Sequence, residues 1–238
     1  MRLRGVRLKG VQIGKELVPD LTLDFRDSNG KVGDVIGFYG GAGSYKNFIL
    51  RAIFEGWRRS IVRHNITQSI WNTQISGEIY IDFEIGKELA TVKIINGEVI
   101  HSPAIYRLSS IDIKGKKHAE DCVLLYNQWV SSYMYNFGIM EVELGLKVGH
   151  LRAVLSDVHL HQMRGCILLV EDFDAFLSEG EARSICSSLV PLIKARDSQL
   201  LFSSPNSYLR TLVDTNLWYE VWGKEYDRYL VGEIRGGS

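Results

Sequence analysis

The segment Val35-Ile36-Gly37-Phe38-Tyr39-Gly40-Gly41-Ala42-Gly43-Ser44-Tyr45-Lys46-Asn47-Phe48-Ile49-Leu50 decides how this chain is read. Its first five residues are almost wholly apolar, as a strand buried on both faces of a sheet requires. Glycines at 40, 41 and 43 then break the strand. From Lys46 the apolar residues Phe48, Ile49, Ala52, Ile53, Trp57 and Ile61 recur at helical spacing, with Arg51, Glu55, Arg58 and Arg59 on other faces. A strand, a glycine turn and a helix opened by lysine make the geometry of a phosphate-binding loop, whose pattern is G-x-x-x-x-G-K-[ST]. Gly40 and Lys46 match the pattern. Tyr45 stands at the second glycine and Asn47 at the hydroxyl position. The frame is a phosphate site with altered chemistry inside it. A glycine turn of purely structural meaning is the alternative.

Working outward, residues 2–13 and Leu21 to Phe25 alternate as strands, with a turn at Asn29-Gly30. Residues 77–100 read as an antiparallel ribbon of two or three short strands, separated at Gly86 and at Asn96-Gly97. Helical spacing is expected over 119–137, 149–162 and 180–194, with Pro191 a kink or boundary in the last. Gly165 to Val170 and Gln199 to Ser204 are fully buried strands, and residues 217–223 with 228–233 suggest a closing hairpin. Strands alternating with helices imply an α/β fold with a mostly parallel central sheet, to which the ribbon adds an antiparallel side sheet.

The 238 residues suit one domain, or one domain with a small insertion, and 45% apolar with 24% charged residues is globular composition. Twenty-eight basic and 28 acidic residues cancel, so no global field draws in a polyanion. DNA contact would need a partner or a local basic patch, for which Arg58, Arg59, Arg63 and His64 are candidates against a solvated helix face. Cys122, Cys166 and Cys186 have neither metal nor disulfide spacing, which suits a reducing cytoplasm. No apolar run approaches the roughly 18 residues of a membrane span. The first nine residues alternate basic and apolar and lack the apolar block of a signal peptide.

A phosphate loop that hydrolyses nucleotide needs a second element, an apolar strand ending in acids that hold Mg²⁺ and polarise water. Ile167-Leu168-Leu169-Val170-Glu171-Asp172 has that form. With these motifs in order, the chain resembles an ABC-type ATPase head of the RecF, SMC and OLD-like branch. Leu146-Lys147-Val148-Gly149 resembles the signature motif, and Ile167 to Asp172 the Walker B strand. Phe173 to Leu177 resembles the following D-loop, and Phe202 to Leu209, with Ser204 and Pro205, the switch segment. The resemblance implies residues 1–103 as the first part of the core with the β arm, 104–148 as a reduced helical subdomain, and 149–238 as the rest of the core. It implies ATP held by Gly40, Gly41, Ala42, Gly43, Ser44, Tyr45, Lys46, Asn47 and Phe48, and Mg²⁺ held by Asn47 and Glu171. Glu171 and Asp172 are the implied catalytic acids. It further implies two subunits closing head to tail on ATP.

The departures concern the chemistry. Tyr45 adds a side chain where glycine lets amides wrap phosphate. Asn47 offers an amide in place of a hydroxyl. Lys147 replaces the signature serine, and neither Ser204 nor Pro205 performs imidazole chemistry. The acids stand in the order Glu then Asp, so the water-polarising one is a methylene short. Together these predict impaired hydrolysis, in a homo- or hetero-oligomeric subunit that dimerises or docks on a partner in DNA repair or phage defence. The alternative is a working ATPase that couples closure to DNA or a partner nuclease. Tyr126, Trp129, Tyr133, Tyr135 and Phe137 are read as core, or else as a docking surface on the small helical subdomain.

Overall fold

The structure, a computed structural model, describes residues 2–41, 44–61, 75–85, 87–100, 122–125, 167–174, 177–213 and 217–221. β1 (Arg2–Ile13), β2 (Glu16–Leu17) and β3 (Leu21–Asp24) come first, then β4 (Val35–Tyr39) and α1 (Lys46–Ile61). β5 (Ile75–Ile85), β6 (Glu88–Ile95), β7 (Glu98–Ile100) and β8 (Cys122–Leu125) follow. β9 (Ile167–Val170), α2 (Glu179–Ala195), β10 (Gln199–Ser204), a 3-10 helix (Ser207–Leu212) and β11 (Trp218–Glu220) complete the described chain.

Two sheets form. The first has the order β2-β1-β5-β6-β7 with β3 also on β1, and all its pairings are antiparallel. β1 buries Leu3, Val6, Leu8 and Val11 against the core, its alternation shifted by irregularities between Leu3 and Gly5 and between Lys9 and Gln12. Asn96 and Gly97 join β6 to β7 with φ of 49° and 82°. Two consecutive left-handed residues make the tight hairpin turn that Asn-Gly favours.

The second sheet runs β11-β4-β10-β9-β8, and all its pairings are parallel. β9 and β10 are buried along their whole length and β4 along all but its last residue; β4 and β9 accordingly read as near-continuous apolar runs, while β10 buries Gln199, Ser203 and Ser204 beside its three apolar residues. β11 pairs in parallel with β4; the strand expected to form a hairpin with it, 228–233, lies outside the described residues. The helical reading of 119–137 fails at 122–125, where β8 pairs with β9. Cys122-Val123-Leu124-Leu125 is a short apolar run, which periodicity cannot assign to helix or strand, and pairing with β9 decides it. The remainder of that segment, 149–162 and the signature-like 146–149 lie outside the described residues.

α1 packs against strands of both sheets. Its buried set, Ile49, Leu50, Ala52, Ile53 and Phe54, is therefore wider than the single stripe the sequence suggests. Gly56 allows the close approach, since a Cβ there would stand 2.3 Å from Ile81 Cδ1. α2 begins with a capping box between Ser178 and Glu181 and buries Ala182, Cys186, Leu189 and Ile193. Pro191 lies inside this helix on its exposed side and does not end it. The sheets are tied at the start of β10: Gln199, fully buried, accepts from Leu3 N–H at 2.7 Å and donates to the carbonyls of Leu3 and Gly33, both at 2.9 Å. Arg2 pairs with Asp34 beside it. Among the described residues no helix is long and apolar enough to cross a membrane.

Candidate functional site

Because β4, β9 and β10 are parallel, their carboxyl ends open on the same side of the sheet. The register sets Ser204 beside Tyr39 and Phe202 beside Val170. Ligands of open α/β sheets sit beyond such ends. Gly40, Lys46 and Asn47 arrive there after β4, Glu171 and Asp172 after β9, and Ser203 at the end of β10.

Lys46 is buried at 5% exposure, and its Nζ lies 3.1 Å from Asp172 Oδ1 and 3.5 Å from the Gly41 carbonyl. Asn47 Nδ2 donates to Asp172 Oδ2 at 2.9 Å, while its Oδ1 accepts from Ser203 Oγ at 2.5 Å. Ser203 Oγ in turn accepts from the Asp172 backbone N–H at 2.7 Å. A carboxylate only accepts, so Asp172 fixes the amide orientation of Asn47, and the three residues close a hydrogen-bonded ring. Beside it Arg51 grips Glu171 with both arms, Nε to Oε1 at 2.5 Å and Nη2 to Oε2 at 2.8 Å. Glu171 is fully buried. Consecutive strand residues point to opposite faces. Asp172 has left the strand with φ of 43°, and this backbone turn lets two successive acids both meet α1.

The remaining expected site residues fall around this centre. Gly40 is required by packing, since a Cβ there would stand 2.1 Å from the Val221 carbonyl oxygen. Gly41 instead opens on space, with nothing within 4 Å of such a Cβ. Ser44 Oγ is buried and has no hydrogen-bond partner among the described residues. Tyr45 turns its ring into the core, and its hydroxyl lies 3.0 Å from Glu16 Oε1 and 3.3 Å from the Leu17 carbonyl. The ring thus belongs to the β1–β2 hairpin. Phe48 packs against the core. Ser204 supports the loop by accepting from Gly40 N–H at 3.2 Å, while Pro205 is exposed. Ala42 and Gly43 lie outside the described residues. Nearby, Asp174 accepts from Asn206 Nδ2 at 2.7 Å. Burial, with the Asp174 charge second, pushes the Cys186 thiol up to about 12, so it is no nucleophile at neutral pH.

Arg51 and Ser203 were not among the residues expected from sequence. Arg51 follows Asn47 by four positions, hence on the same helical face, and that spacing is the signal that could have found it. Ser203 carries no comparable signal in an apolar strand.

A phosphate group and a divalent cation ask for different things here. A phosphate asks for donors, and Lys46 at the amino end of α1, the unpartnered Ser44 hydroxyl and the open space at Gly41 supply them. A magnesium ion asks for oxygens. Asn47 Oδ1 and all four carboxylate oxygens of Glu171 and Asp172 already accept from protein donors. Each of these oxygens keeps a second lone pair beside its protein donor, so Asn47, Glu171 and Asp172 are the residues that would hold the ion.

No protein-family model and no curated protein matches the sequence. Solved structures do match. The SMC head domain from Thermotoga maritima aligns over 92% of this chain and 94% of its own, at 16% identity and a TM-score of 0.51. An SMC head bound to the C-terminal winged-helix domain of ScpA aligns over 90% and 93%, at 13% identity and 0.49. CbiO1 from Clostridium perfringens, part of an ABC transporter complex, aligns over 91% and 84%, at 11% identity and 0.47. Of the three, the first alone exceeds 0.5, and at such identity it speaks to fold. The chain shares the fold of the SMC head domain.

Proposed function

We propose that this chain is a nucleotide-frame subunit, weak or inactive in ATP hydrolysis, that works by dimerising or by docking on a protein partner in a DNA repair or phage-defence assembly. One observation carries the reading: the groups hydrolysis would use are bonded to each other. Glu171 is held by Arg51 and shut from solvent, so no water reaches it to be polarised. Asp172 and Asn47 are closed into a ring with Ser203. Misplacing a catalytic group by roughly 1 Å costs about a hundredfold in rate. An ABC-type head without turnover still has a surface built to meet a second head.

The test is phosphate release from ATP by the purified protein beside its Lys46→Ala variant. Equal rates are expected, and turnover well above the variant would end the proposal. A second reading, a working ATPase, draws on the 3.1 Å approach of Lys46 to Asp172, which joins the lysine and an acid of the two motifs at one sheet end. The same assay separates the two, and sedimentation with candidate partners tests the docking role.

A further inference from the structure

We infer that the outer face of the antiparallel sheet holds a second ligand site, which takes a small sugar phosphate between Arg7 and Lys9. On the inner side of this sheet Ile81, Val92 and Ile94 meet α1 at Gly56. Alternation sends Glu78, Tyr80 and Asp82 of β5 and Lys93 of β6 to the opposite side. Register adds three more residues to that side: Arg7 lies opposite both Tyr80 and Thr22, and Lys9 opposite Glu78. A cavity of about 390 Å³ opens there, its walls including Arg7, Lys9, Asp20, Leu21, Thr22 and Tyr80. Small-molecule sites run from roughly 300 to 1,000 Å³, so the space suits a compact ligand.

The acids of this face are largely engaged without Arg7 and Lys9. Glu78 accepts from the Tyr80 hydroxyl at 2.5 Å, and Lys93 Nζ lies 3.3 Å from it. Asp82 accepts from Thr91 Oγ1 at 2.6 Å. Arg7 reaches Asp82 through Nη2 alone, at a long 3.4 Å to each oxygen, and its guanidinium stacks 4.9 Å from the centre of the Tyr80 ring. Its Nε and Nη1 have no partner among the described residues, where Lys9 makes neither hydrogen bond nor ion pair. Stacking fixes the guanidinium plane, so the spare donors are oriented before a ligand arrives. Two positions apart on one strand, Arg7 and Lys9 leave the backbone roughly 7 Å from each other, a span that one phosphate bridges between two long side chains. Asp20 sets the limit. Its Oδ1 holds the Gly10 N–H at 2.6 Å, its charge opposes a second phosphate, and its other oxygen can accept from a hydroxyl. Half-buried Leu21 gives a carbon skeleton an apolar wall. With Asp20, Glu78 and Asp82 set among the cations, the face offers no continuous track to a polyanion.

The experiment is a heteronuclear NMR titration of ribose 5-phosphate into the wild-type protein, Arg7→Gln and Lys9→Gln, with ribose, inorganic tripolyphosphate and a thymidine oligonucleotide as comparison ligands. Ribose 5-phosphate is expected to shift the amides of Lys9, Thr22 and Tyr80 with a Kd below about 1 mM. The amides of Lys46, Asn47 and Asp172 should stay in place. Each variant should bind about tenfold more weakly, as loss of one charge-assisted contact gives. Ribose should leave the three amides unmoved, and tripolyphosphate and the oligonucleotide should shift them only at higher concentration. The inference is overturned if ribose 5-phosphate shifts nothing, if it shifts the strand-end amides instead, or if both variants bind it as the wild type does. Tighter binding of the oligonucleotide at Thr22 and Tyr80 would make the face a nucleic-acid surface and overturn it as well. Should Arg7→Gln fail to fold by circular dichroism, Lys9→Gln and the wild-type titrations decide.

Discussion

β10 carries a bonded side chain at each end, and the two ends are built differently. At its start Gln199 meets the backbone of Leu3 and Gly33, all neutral and fully enclosed. At its finish Ser203 meets Asn47 and Asp172, which lead on to the charges of Lys46, Arg51 and Glu171. Backbone partners cannot rotate away, so the first network holds the two sheets in one relative position. Side-chain partners can exchange one acceptor for another, so the second can admit a ligand. A buried polar group joined to backbone stabilises a fold, while one joined to charged side chains can be recruited for binding.

The largest effect is expected at the neutral end. Gln199→Leu leaves the Leu3 N–H and two carbonyls buried without partners and should lower stability by about 3 kcal/mol in urea unfolding. Arg51→Ala strips Glu171 of its cation and should cost about 2 kcal/mol by thermal unfolding, below the figure for a wholly enclosed pair because the guanidinium is 31% exposed. Adding Glu171→Leu to Arg51→Met should restore most of that loss, since no buried charge remains. Were Arg51→Ala costlier than Gln199→Leu, the roles given to the two ends would be reversed. Asn47→Ala opens the ring at a half-buried position and should cost about 1 kcal/mol. Tyr45→Phe removes only a hydroxyl at the edge of the core, and a loss of about 0.5 kcal/mol is expected from paired melting curves.

Much of this architecture was legible in the sequence because its strands are buried on both faces. Val35 to Tyr39 and Ile167 to Val170 announce themselves as apolar runs, as does the Leu200-Leu201-Phe202 centre of β10, and Lys46, Glu171 and Asp172 follow from where the first two stop. β8 was misread because four apolar residues suit either period. The pairings at the site were hidden for another reason. Arg51 meets Glu171 across 120 positions and Ser203 meets Asn47 across 156, and no local pattern encodes such distance. The direction of the Tyr45 ring was not legible either, because it depends on what the fold offers it, here Glu16 and Leu17.

The Tyr45 hydroxyl has a use that reaches beyond stability. It fastens the glycine loop to β2, a strand of two residues whose hold on the sheet is slight. Whatever draws that loop inward pulls on the hairpin, so amide deuterium uptake at Glu16 and Leu17 offers a distant gauge of occupancy, readable in a protein that turns over no substrate at all.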